Sequence, residues 1–97
     1  MEFLNKVELK GIVGKVQTTE VSQNKVTNFT VITETSNGHW SESMWIFVVA
    51  WDNATAQSIG KGDNVHVIGR FRQRRFNAQD GVERTVYEVI ATEVNKL

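Results

Sequence analysis

The sequence predicts a small all-β domain, five strands curled into one closed barrel with a single short helix between the third and fourth. Three observations predict it. Apolar residues recur with period 2 through nearly the whole chain, the mark of half-buried strands. That pattern breaks once, between Asp52 and Gly60. Glycines interrupt the first and fourth strands, where a bulge or bend lets a small sheet curl and remove its own edges.

The elements follow in order. Val7, Leu9 and Val13, continued by Lys15-Val16-Gln17, form a long first strand whose alternation is broken at Gly11 and Gly14. Ser22-Gln23-Asn24-Lys25 is a turn. Val26 to Thr35 is alternating and β-branched, a second strand. Ser36-Asn37-Gly38-His39 opens a loop to about Ser43, and Met44 to Trp51 is a strongly apolar third strand. Asp52-Asn53 offers N-cap oxygens to a short helix over Ala54–Ile59, with Gly60 as its C′ residue. Lys61-Gly62-Asp63 turns the chain into a fourth strand, Val65 to Phe76, with Gly69 inside it. Asn77 to Gly81 is a hairpin loop and Val82 to Val94 the fifth strand. No repeat, linker or low-complexity tail occurs, so residues 1–97 read as one domain. The order β-β-β-α-β-β is that of the oligonucleotide/oligosaccharide-binding (OB) Greek-key barrel; the rival SH3-like barrel has no helix at that point.

Composition mostly excludes. Without cysteine there is no disulfide, thiolate nucleophile or cysteine-based zinc site, which fits a reducing cytoplasm. Two unclustered histidines give no metal site, and no nucleophile elbow, phosphate loop or carboxylate pair suggests catalysis or a cofactor. The longest apolar run, Met44 to Trp51, is far short of a membrane span, and no signal peptide is visible at Met1-Glu2-Phe3-Leu4. The absence of proline suits strands that need every N–H. Formal net charge is zero, which argues against a nucleic-acid binder until its distribution is read. All five arginines lie between Arg70 and Arg84, opposed there only by Asp80 and Glu83. The chain is a mildly acidic body with one basic hairpin.

Two segments carry the functional argument. In the third strand Met44, Ile46, Val48 and Ala50 alternate with Trp45, Phe47, Val49 and Trp51, so both faces are apolar. The smaller row suits a narrow barrel interior; the aromatic row then faces outward. It is either a platform for stacked bases, or core or subunit interface. In the fourth strand Arg70, Arg72, Arg74 and Phe76 share a face, with Phe71 and Gln73 opposite and Arg75 near the hairpin end. Four arginines within six residues with no acid between them repel unless an anion intervenes, and arginine both pairs with phosphate and stacks on bases. A subunit salt-bridge strip is the alternative. Trp40, beside His39, is a lone aromatic among polar residues, either a contact or tucked onto the barrel; His66 reads as a hydrogen-bonded structural residue.

These residues also resemble a family. Asn5-Lys6-Val7, Gly11, the Val26-Thr27-Asn28-Phe29-Thr30 strand, Trp45 ahead of Val48-Val49, and Lys61-Gly62-Asp63 ahead of Val65 match, in order and spacing, the bacterial single-stranded DNA-binding proteins. The run Gly69 to Phe76, the Asp80-Gly81 hairpin and Val86–Val89 continue the match over nearly the whole chain. The resemblance implies a cytoplasmic, nucleoid-associated homo-oligomer, a tetramer before a dimer, that wraps single-stranded DNA in replication, recombination and repair. By position, Trp45 matches a tryptophan that stacks on DNA. Trp51 stands where the family has a phenylalanine, and Phe76 where it has a tryptophan, both contacting bases. Arg72, Arg74 and Arg75 fall on the basic strand along the DNA path, Lys6 lies in the motif opening strand one, and Trp40 corresponds loosely to a loop tryptophan. The departures are specific. The Trp40 loop and the helix are shorter than is common, Ile46 replaces a histidine associated with subunit contact, and Phe47 replaces an arginine on the DNA face. The family's glycine-rich linker and acidic tip, which recruit replication and repair enzymes, do not occur within residues 1–97. A tail-less, dimeric relative of the primosomal replication protein N type, its aromatic face docking a protein, is therefore the alternative.

Overall fold

The computed structural model describes residues 1–97. Five strands, β1 (Val7–Val21), β2 (Asn24–Ser36), β3 (Ser41–Trp51), β4 (Asn64–Asn77) and β5 (Glu83–Lys96), close into a barrel in the order β1-β2-β3-β5-β4. The helix α1 (Ala54–Ser58) lies between β3 and β4, as the break in periodicity predicts. Neighbouring strands are antiparallel except at the closing seam, where β3 and β5 run parallel through Val48↔Val89 and Val49↔Ile90 alone.

Of the bulges expected in β1 and β4, one stands at its glycine: the β1–β2 register shifts between Val13 and Val16, where Gly14-Lys15 oppose Thr30. The β4–β5 register also shifts between Ile68 and Gly69, but the extra residue is Thr92 of β5, and β4 keeps its alternation through Gly69. Gly11 does a different job. A Cβ there would lie 2.2 Å from the Ile32 carbonyl oxygen, so only glycine lets β1 pass this close to β2 as it leaves β4. The strands outrun their apolar segments. Asn24-Lys25 pair with Glu20-Val21, leaving Ser22-Gln23 as the turn, and β2–β3 pairing continues to Ser36↔Ser41. A ladder extends wherever backbone groups can satisfy each other, whatever their side chains.

Two expectations around the helix need correction. Asn53 is the N-cap, its Oδ1 accepting the Ala56 N–H at 2.9 Å, but Asp52 is not a cap. Its carboxylate accepts the Lys25 N–H at 2.8 Å while its own N–H donates to the Lys25 carbonyl at 2.7 Å, clasping the end of β3 to the β1–β2 turn. Gly60 is not a left-handed C′ residue either. The helix ends at Ile59 in extended backbone (φ −78°, ψ 156°), and the Gly60 N–H is taken by the Asp63 carboxylate at 2.8 Å.

The core is the inner row of the barrel: Val13, Phe29, Val31, Val48, Ala50, Val65, Val67, Val89 and Val94, joined by Ala56 of α1 and by Ile59. Valine dominates because a barrel's width grows with its strand number, and five strands enclose little space. Burying each such side chain contributes about 1.5–3 kcal/mol. Ile46, Val48 and Ala50 of β3 face this core as expected, but Met44 in the same row is exposed, because β3 has by then run past the barrel rim. No helix is long and apolar enough to cross a membrane.

Candidate nucleic-acid interface

The outward row of β3 is exposed aromatic surface, not core. Trp45 and Phe47 are 58% and 57% exposed, and Trp51 is also open. Val49 corrects the expectation for that row. It is only 6% exposed, covered on the outer face by Val26 and Ile90, its neighbours on β2 and across the closing seam. The platform is therefore interrupted, with Trp45 and Phe47 on one side and Trp51 on the other. Each has a local support. The Trp45 ring lies over Gly14, where a Cβ would approach the indole to 2.6 Å; Phe47 pairs with Thr30; Trp51 pairs with Val26 beside the Asp52 clasp. Trp40 sits outside the strand, on the turn that joins β2 to β3, where Asn37 Oδ1 accepts the backbone N–H groups of His39 and Trp40 at 3.0 and 3.1 Å. It is exposed, not tucked onto the barrel. Because β3 has eleven residues, Trp40 and Trp51 flank a strand roughly 36 Å long. The aromatics mark a track and not a pocket.

The β4–β5 hairpin forms the basic side. Its ladder continues from Arg70↔Ile90 to Asn77↔Glu83, closed by a turn in which the Ala78 N–H donates to the Val82 carbonyl and Gly81 takes φ 80°. Arg70, Arg72, Arg74 and Phe76 share a face as alternation predicts, but the arginines do not stand alone. Register sets Glu88 opposite Arg72. One oxygen of Glu88 accepts from Arg72 Nη2 at 2.6 Å and Nε at 3.1 Å, and from Arg74 Nε at 3.0 Å. Glu88 is 4% exposed; burial pushes its carboxyl up, and the bonds from Arg74 and Arg72 outweigh this and hold it below the ordinary range. Arg74 also lies over the Phe76 ring, 5.6 Å from its centroid, so one face of Phe76 is already covered. Arg75 is 3.9 Å from Glu83, and Arg84 pairs with Asp80 at 2.6 Å at the tip. Arg70 makes no ion pair. Lys6 precedes Val7, the partner of Gly69, and so lies beside Arg70; Asn5 fixes this segment by exchanging two hydrogen bonds (2.7 and 2.8 Å) with the Phe71 backbone.

Between the aromatic strand and the hairpin runs a groove of about 760 Å³, bordered by Phe47, Asn28, Thr30, Lys15, Lys61, Arg74, Val86 and Glu88. A second, smaller cleft of about 300 Å³ opens where β3 and β5 part, lined by Met44, Trp45, Ile46 and the stacked pair Phe71–Tyr87, whose rings are 5.8 Å apart. Of the sequence-predicted residues, Arg74 borders the groove and Trp45 the cleft, whereas Trp40, Trp51, Lys6, Arg70, Arg72, Arg75 and Phe76 line neither. Lys15, Lys61 and Glu88 were not singled out by sequence reasoning. Phe47 was visible in the outward row. Glu88 could have been found by counting back from the Asp80-Gly81 turn, which places it across from Arg72. Nothing local marks Lys15 or Lys61, which the bulge and the α1–β4 loop bring to the groove. On the outer surface of β1 and β4, His66 meets Glu8 at 2.6 Å, a contact that holds the Glu8 carboxyl below its ordinary range and gives His66 the hydrogen-bonded role expected of it.

Comparison with known proteins agrees with this architecture. The family model described as the single-strand binding protein family matches residues 4–97. A single-stranded DNA-binding protein of Neisseria meningitidis is 33% identical over 106 residues, covering 97% of this chain and 60% of the relative. One from Mycobacterium tuberculosis is 35% identical over 79 residues, covering 71% of this chain and 48% of the relative. The chain thus spans about half to three-fifths of the length of these relatives. A solved structure, the Plasmodium falciparum SSB complex with ssDNA, superposes with a TM-score of 0.87 at 22% identity, covering 100% of this chain and 97% of that one, which identifies the same OB fold. With the family model spanning all but the first three residues of the barrel chain, the protein belongs to the single-strand binding protein family.

Proposed function

We propose that this chain binds single-stranded DNA without catalysis and with little regard to sequence, in replication, recombination and repair. The observation that carries the reading is the groove between an exposed aromatic strand and an arginine-rich hairpin. Bases stack on Trp45, Phe47 and Trp51, with Trp40 and the free face of Phe76 extending the track; Arg70, Arg72, Arg74, Arg75 and Lys6 meet phosphates. Each stacked base contributes about 1–3 kcal/mol and is tolerated whatever its identity. Displaced counterions make affinity fall with salt. The names of the relatives support the same reading.

Assembly is part of the proposal: a homo-oligomer, tetramer before dimer, acting in the cytoplasm at the nucleoid with replication and repair proteins as partners. Residues Val7–Gly11 of β1 pair with β4 alone, leaving their other backbone edge open, and Phe71, Tyr87 and Met44 are exposed apolar side chains. Light scattering tests this as a multiple of the 11.0 kDa chain.

Titration with oligo-dT and with duplex, followed by tryptophan fluorescence at two salt concentrations, tests the binding itself. Single strands should quench emission, more tightly at low salt, and duplex should not. Unchanged fluorescence with micromolar oligo-dT overturns the reading and favours a protein-docking adaptor.

A further inference from the structure

A strand carrying Arg70, Arg72, Arg74 and Arg75 invites a count of four cations for four phosphates, but the geometry does not allow that count. Glu88 sits on the floor of the basic face, 4% exposed, with three charge-assisted bonds from two arginines converging on one oxygen. Removing either partner would strand a buried carboxylate, so neither guanidinium is free to swing out to a ligand. Arg74 is doubly restrained, by Glu88 and by the ring of Phe76. Both guanidiniums stay partly open to solvent, so the pair still faces a ligand, with one of its two charges cancelled.

We infer that Glu88 is a positioning residue of the DNA-binding face: it fixes the Arg72 and Arg74 guanidiniums against the sheet and reduces the pair to the equivalent of one phosphate contact. The inference rests on the single-stranded DNA reading of the same face. Its consequence is a binding reaction that leans less on counterion release, and more on stacking, than its arginine count suggests.

The test is the slope of log affinity against log salt for oligo-dT, which steepens by about 0.7 for each phosphate neutralised on a single strand. Glu88→Gln keeps the shape and removes the charge. The slope should steepen by about 0.7, so the gain in affinity between 200 and 50 mM salt grows by a further factor of about 2.6. Glu88→Asp, which retains the charge, should keep the wild-type slope; a merely structural role would alter affinity or folding without moving the slope in this charge-dependent way. Should Glu88→Gln fail to fold, the triple variant Arg72→Gln, Arg74→Gln, Glu88→Gln removes the whole cluster without leaving a buried charge. Its slope should become shallower by about 0.7, whereas a loss of about 1.4 would mean that both arginines meet phosphates independently. That result, or an unchanged slope in folded Glu88→Gln, overturns the assignment while leaving the binding face intact. A wild-type chain that does not bind oligo-dT at all would remove the underlying reading instead.

Discussion

The two halves of the β4–β5 hairpin are one continuous ladder put to opposite uses. Below the register shift at Gly69, Val65 and Val67 have no exposed surface and pack against Val94 and the rest of the barrel core. Above it the same strand passes the closing seam at Arg70↔Ile90 and Phe71↔Val89, and from Arg72 to Asn77 it runs beyond the barrel, held by backbone pairing, by the Glu88 cluster and by the Phe71–Tyr87 stack. Hydrophobic burial stabilises the lower half, while the upper half spends its side chains on an exposed charged and aromatic surface. The difference teaches that stability and binding are separable along one strand, with a single glycine at the boundary.

The hardest blow to that boundary is Gly69→Ala. A Cβ there would lie 2.2 Å from the Ile90 carbonyl oxygen, a backbone atom that cannot move aside cheaply. We expect a loss of about 3 kcal/mol in urea unfolding, at the top of the range for overpacking. A loss within measurement error would mean that the bulge is plastic and the boundary softer than drawn. Trp45→Ala should do the reverse, weakening oligo-dT binding by about 1–3 kcal/mol while the unfolding midpoint hardly changes. If stability falls as far as affinity, Trp45 belongs with the core half.

The smallest effect is in acid. Glu88 has its carboxyl held below the ordinary value of 4.5 in the folded protein. Its contribution is therefore complete above that value and is lost as pH falls through the lower folded value. Thermal midpoints should be level from neutral pH to about 5 as far as this group is concerned. Below that they should decline, and Glu88→Gln should remove part of the decline. The rest comes from Glu8, Asp63 and Asp80, which are also held low, by His66, by the Gly60 N–H and by the Val82 N–H respectively. Parallel curves for wild type and variant would show that the cluster adds nothing to the fold.

What was legible in the sequence is what depends on one strand at a time. Alternation placed all five strands and the inward row of β3 from Ile46 on, and Gly14 announced the bulge in β1, whereas the β5 bulge at Thr92 has no glycine to mark it. The features that were not legible depend on which strand lies beside which. Val49 belongs by alternation to the outward row, yet Ile90 covers it through a parallel pairing forty-one residues away. The arginine strip looks unopposed within β4, yet its counter-charge arrives from β5. Gly60 satisfies the local rule for a helix end, but the Asp63 carboxylate supplied another partner for its N–H. In each case a neighbour across the sheet, or a few residues on, decided what the local pattern left open.

The turn at the end of the β4–β5 hairpin offers a practical handle. It lies far from the buried half, its Gly81 has open space around a would-be Cβ, and its two internal hydrogen bonds close without help from the barrel. Lengthening a flexible loop costs only about 0.6 kcal/mol per doubling. An affinity tag, a dye or extra cationic residues could therefore be grafted between Gln79 and Gly81, extending the arm over a longer ligand while the valine interior stays untouched.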